Sequence, residues 1–162
     1  MNQIEVYLEI GKKRAIAGAP AMIPASDQGS ISPDELHRCR KLLPAYWQAF
    51  DTAVAQATGK ELQKGPRGGG RELEMIVAHV VDAEIAYLPR VAWTFKKDKN
   101  ETPIETMHRT RQAVLDALTA AVEKGLPEQG PRGGVIWPAQ YFARRVAWHI
   151  LDHFWEIEDR VS

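Results

Sequence analysis

The sequence predicts an all-α protein, a four-helix bundle preceded by a small N-terminal β-hairpin. Three observations carry that expectation. Apolar residues recur at spacings of three and four along four long stretches, the period of a helix with one buried face. Two of these stretches open on the same signature, SPDE at 32–35 and TPIE at 102–105: a capping hydroxyl, proline at the first helical position and glutamate three residues after the cap. Gly- and Pro-rich segments, KGPRGGG at 64–70 and LPEQGPRGGVIW at 126–137, punctuate the pattern.

The elements follow in order. IEVYLEIG sets Ile4, Val6, Leu8 and Ile10 against Glu5, Tyr7 and Glu9, the alternation of a strand with one buried face, and GKKR then RAIAGA supply a turn and a short return strand. A lone hairpin is marginal in water, so it must lie against the bundle or a second subunit. Residues 18–31 read as a connector. Helix one starts at the Ser32 cap and runs through Leu36, Leu43, Trp47, Phe50 and Val54 to Gly59, with a kink expected at Pro44.

Helix two is expected from about Arg71 to Phe95, carrying Ile76, His79, Val80, Ala83 and Tyr87, with Pro89 bending or interrupting it. Helix three runs from Thr102 through Met107, Val114, Leu118 and Val122 to Gly125, and helix four opens at Pro138. The organisation is therefore residues 1–31 as hairpin and linker and residues 32–162 as one bundle.

Composition narrows the function. Lys plus Arg and Asp plus Glu each number 21, which gives no electrostatic case for nucleic acid or an anionic membrane as partner. Cys39 is the single cysteine, so no internal disulfide forms, and no apolar run reaches the ~18 residues of a membrane span. A cytoplasmic protein acting on a small molecule is the expectation.

On helix four, Phe142, Val146, His149, His153 and Ile157 fall on one face, and on helix two Ile76, His79, Ala83 and Tyr87 form the facing stripe. Three imidazoles therefore point inward from two helices. An uncompensated buried polar group costs roughly 1–3 kcal/mol, so three of them call for a shared reason. A divalent metal is one: neutral imidazole is a good ligand, and positions i and i+4 converge on one point. Three protein ligands leave a coordination position open for water or substrate. The alternative is that these histidines are ordinary core residues.

Rival metal chemistries fit less well. A zincin needs H-E-x-x-H, but Ile150 follows His149. HILDH places Asp152 where an inverzincin has glutamate. A di-iron carboxylate bundle needs two E-x-x-H motifs, and only Glu105 to His108 supplies one.

IVAHVVDAEIAYL (76–88) and RRVAWHILDHFWEIEDR (144–160) resemble the two metal-ligand segments of the DinB-like (DinB/YfiT) superfamily of four-helix-bundle metalloproteins, a resemblance covering about residues 32–160. It implies that His79, His149 and His153 bind a divalent metal, zinc or nickel among others. Some members are thiol transferases, some isomerise maleylpyruvate with a low-molecular-weight thiol, and many have no assigned reaction. The expectation is thus a metal-dependent hydrolase or thiol (S-)transferase; the alternative is a non-catalytic bundle with a structural metal or a dimerisation role.

Around the ligands, Asp82, Glu84, Asp152 and Glu156 are candidates to orient an imidazole through its second nitrogen, or else are solvated charges. His37 and His108 are expected to be exposed, and Cys39 to be an inert packed thiol. In an up-down-up-down bundle the loops after helices one and three share an end, which would bring Arg67 and Arg132 to one mouth to hold an anionic substrate group. A second apolar stripe on helix four, Tyr141, Trp148, Leu151 and Trp155, predicts a homodimer, or else cover by the hairpin.

Overall fold

The computed structural model describes residues 23–64, 70–130 and 133–161. The N-terminal hairpin expected from IEVYLEIG lies outside them, as do Arg67 and Arg132. The four expected helices are α1 (Pro33–Ala57), α2 (Leu73–Tyr87), α3 (Pro103–Lys124) and α4 (Ala139–Arg160). No strand is formed among the described residues, and no helix is long and apolar enough to cross a membrane.

The local signals act as expected at three of the four starts. Ser32 Oγ accepts from the Glu35 amide at 3.2 Å while Glu35 accepts from the Ser32 amide at 2.8 Å. Thr102 and Glu105 repeat the same capping box at α3. Pro138 stands at the start of α4. Gly125 ends α3 at φ 72°, a left-handed backbone that suits glycine. Helix α1 continues unbroken through Pro44.

Helix α2 is shorter than the sequence suggests. It stops at Tyr87, a 3-10 turn spans Leu88–Val91, and Ala92 adopts φ 56° to turn the chain. Pro89, which has no N–H to continue the ladder, explains the stop. The connection to α3 is consequently the whole segment 88–102.

That long connection sets the topology. Gln140 reaches Glu35 at the start of α1, and the Gln63 amide donates to the Arg160 carbonyl just past its end, so α1 and α4 run parallel. Arg71 meets Arg160 while Tyr87 meets Trp137, so α2 runs against α4. Arg40 pairs with Thr119 and Asp51 with Arg111, so α3 runs against α1. The order is up, down, down, up. Helix α1 packs chiefly on α4, and α2 on both α3 and α4.

This corrects the simple alternating bundle. The described flanks of the two GPRGG loops lie at opposite ends of α4: Gln63 and Arg71 at its C-terminus, and Val135 and Trp137, which bond Arg90, at its N-terminus. Arg67 and Arg132 themselves lie outside the described residues.

The core is continuous. Phe50, Phe142, Leu43, Ile76, Leu118 and Ile150 are essentially fully buried, each side chain contributing roughly 1.5–3 kcal/mol relative to exposure. The connector also contributes. Asp27, fully buried in a 3-10 turn at Ala25–Asp27, pairs with Arg144 at 2.6 Å and pins the chain before α1 onto α4.

Candidate metal centre

On α4 the stripe read from the sequence is buried as a unit: Phe142, Val146, His149, His153 and Ile157. On α2 the buried line is Ile76, Val80, Glu84 and Leu88, one helical turn apart at each step. His79, Ala83 and Tyr87 lie beside it, half-buried. This offset brings the His79 ring against α4, its centroid 5.1 Å from that of His149 and 4.9 Å from that of His153. The two α4 rings are 4.6 Å apart. One ring nitrogen from each of the three lies within 4.8 Å of the others, a spacing that can hold a metal ion.

Burial disfavours the charged form of two of the rings, His149 and His79. Burial lowers the His149 pKa to about 3, and the neighbouring His153 and His79 push the same way. Burial also lowers His79, with Arg71 and His153 adding to it. An imidazole must be unprotonated to ligate, so these environments suit metal binding at neutral pH. Nδ1 of His149 is buried and has no hydrogen-bond partner in the protein. A buried polar atom left so is uncommon and calls for an explanation outside the protein's own groups.

Of the four candidate orienting carboxylates, one does that work. Glu156 Oε2 lies 2.7 Å from His153 Nδ1, and its other oxygen is 3.1 Å from Arg160 Nη1. The His153 hydrogen bond lowers the Glu156 pKa against the effect of burial, so the carboxylate accepts from Nδ1–H and leaves Nε2 of that ring facing away. Asp82 is exposed and pairs with Lys97 at 2.5 Å. Asp152 is half-buried, and burial raises its pKa.

Glu84 is the correction. It is 1% exposed, accepts from Trp47 Nε1 at 2.7 Å, and belongs to the core between α1 and α2 rather than to the imidazoles. Its place in the Ile76, Val80, Glu84, Leu88 series is the signal that could have found it.

The wall beside His149 is aromatic and cationic. Tyr87 stands edge-on to that ring at 5.9 Å, and Trp137 packs on Tyr87 at 5.3 Å. The Arg145 guanidinium lies 5.7 Å from the Tyr87 ring centroid and 4.5 Å from that of Trp148. Tyr141 packs edge-on against Trp137, and all four residues of the second α4 stripe are half-buried. His37 and His108 are exposed as expected, and burial raises the Cys39 thiol pKa, consistent with an inert side chain.

Fold and site together define a class: an all-α four-helix protein in which two antiparallel helices converge three imidazoles. Comparison with protein-family models, with curated proteins and with solved structures returns no match for this chain.

Proposed function

We propose that the chain binds one divalent transition metal, zinc or nickel, through His79, His149 and His153, and acts as a metal-dependent hydrolase or thiol (S-)transferase on a small molecule. The observation that carries this is the convergence of three ring nitrogens within 4.8 Å, two of the rings buried, with no protein partner for His149 Nδ1. The two segments that resemble the DinB-like superfamily support the same ligand set. Neutral nitrogen donors suit borderline ions such as zinc and nickel better than calcium or magnesium.

When bound, such an ion acts as a Lewis acid and lowers the pKa of a water or thiol in its open position. The chain's own groups prepare the site. Glu156 fixes the tautomer of His153, burial holds His149 and His79 neutral, and half-exposed His79 keeps the cluster accessible from one side. Tyr87 and Arg145 border His149 and can hold a polar or anionic group of the substrate there. Among the described residues no carboxylate or thiol joins the three imidazoles as a fourth ligand, which favours an open site over a sealed structural one.

Elemental analysis of freshly purified protein tests the reading. Wild type should carry one ion per chain, and His79→Ala, His149→Ala and His153→Ala should each lose most of it. Undiminished metal in all three variants overturns the assignment. Screening the loaded protein against esters and against thiol acceptors then separates the two reaction classes.

A further inference from the structure

Arg160 closes α4, where an arginine ordinarily extends into water. Here its side chain is 11% exposed. Nε donates to the Gln63 carbonyl at 2.8 Å, and Nη1 donates to the Arg71 carbonyl at 2.9 Å. Nη1 also reaches Glu156 Oε1 at 3.1 Å, and the second oxygen of that carboxylate takes the hydrogen bond of His153 at 2.7 Å. Backbone on both sides of the α1–α2 connection, a guanidinium, a carboxylate and an imidazole thus form one continuous chain. Each link constrains the next.

Gly70 completes the enclosure. A Cβ at that position would overlap Arg160 Nη2 and lie 2.7 Å from Cζ. The atoms in its way are the far end of a flexible side chain, and Gly70 does not adopt a left-handed backbone. Alanine at 70 therefore leaves the backbone outside the left-handed region and forces the guanidinium to shift from its seat.

We propose that Arg160, seated against Gly70, is a positioning residue for the metal centre: it immobilises Glu156 so that Glu156 holds His153 with Nε2 presented to the ion. This rests on the metal reading above. Outer partners of ligating histidines typically change metal affinity about 10–100-fold when removed. Two anchors on backbone carbonyls make Arg160 a fixed partner rather than a swinging surface charge. A role confined to fastening the end of α4 predicts lost stability without any change at the ligands.

The experiment titrates cobalt(II) into the metal-free full chain, reading the ligand-field absorption spectrum and the dissociation constant by chelator competition. Wild type is compared with Arg160→Gln, Arg160→Lys, Gly70→Ala and the Gly70→Ala/Arg160→Gln double variant. Arg160→Gln and Gly70→Ala should each weaken cobalt binding about 10–100-fold and alter the spectrum. The double variant should be no weaker than Arg160→Gln, because both changes break the same link. Arg160→Lys, able to bond Glu156 once, should recover part of the loss.

Wild-type affinity and spectrum in both single variants overturn the positioning role, whatever their melting temperatures, while leaving the three-histidine site standing. An additive double variant overturns it too. No cobalt binding by wild type removes the metal reading and this inference with it.

Discussion

Between α2 and α4 three imidazoles meet one another; among α1, α2 and α3 a second buried polar group gathers Glu84, Trp47, Arg111 and Asp51. The second group pairs unlike partners with one another. Trp47 donates to Glu84, Arg111 makes a two-pronged pair with Asp51 at 2.6 and 2.7 Å, and the guanidinium lies 5.6 Å from the Trp47 ring centroid. Its remaining unpartnered atoms, Glu84 Oε2 and Arg111 Nε, are an acceptor and a donor. The imidazole group instead sets like beside like, three bases with one orienting acid behind a single ring. The Glu84 arrangement pairs unlike groups, and the imidazole arrangement, with three like groups together, is the one on which the proposed metal site rests.

The largest test of this contrast removes Arg111. Breaking a buried pair costs several kcal/mol, and Asp51 is 36% exposed, so Arg111→Met should cost about 3 kcal/mol in urea unfolding. Its cobalt affinity should stay at the wild-type value. A loss of metal binding in that variant would show the two groups to be coupled.

The converse is nearly as large. Metal at one hundred times its dissociation constant should raise stability by about 2.7 kcal/mol in wild type, with almost no gain in His153→Ala. Calorimetry with and without metal reads both, and equal gains in the two proteins would break the contrast. Trp47→Phe comes next. It strips the Glu84 carboxyl of its donor and should cost about 2 kcal/mol, again with no change in metal affinity.

The two groups should also tilt the pH profile of the metal-free protein in opposite directions. Burial raises the Glu84 pKa from 4.5 to about 7, so over that window the folded state holds a proton the unfolded state has released. Its contribution is present below 4.5 and is lost as pH rises through about 7. His149 is depressed from 6.5 to about 3, so the unfolded state takes the proton first, and stability present above 6.5 is lost as pH falls. Relative to wild type, Glu84→Gln should therefore gain more at pH ~8 than at pH ~5, and His149→Gln more at pH ~4 than at pH ~7. Differences that do not vary with pH would show that neither group is shifted.

The smallest effect belongs to the surface. Asp82, 59% exposed in its pair with Lys97, should cost no more than about 0.5 kcal/mol as Asp82→Ala and leave metal affinity unchanged.

The contrast also explains what the sequence revealed. The histidine stripe of α4 follows from spacings of three and four within one helix, as do both capping boxes, and such local geometry is written in neighbouring residues. Glu84 depends on Trp47, 37 positions away, and a glutamate on a helix ordinarily reads as solvated. Asp27 escaped notice for the same reason, its partner Arg144 lying on the last helix. The helix directions were hidden by a single boundary. Extending helix two to Phe95 leaves too few residues to travel back along the bundle, whereas stopping at Tyr87 frees the segment 88–102 to do so. Glu156 was one of four acids of equal standing, although its place three residues after His153 on the same helix is a local signal that could have singled it out.

The parallel pairing of α1 with α4 bears on how the protein is made. Synthesis delivers α1, α2 and α3 to solvent before the helix that covers much of α1, so part of the apolar face of α1 waits for a partner formed about a hundred residues later. Loop closure over that distance is slow relative to helix formation, and the intermediate exposes apolar surface. Two of the three imidazoles ride on the same late helix. A chain truncated before α4 therefore has neither a closed core nor the three-imidazole cluster, and is a natural client for chaperones and for proteolysis.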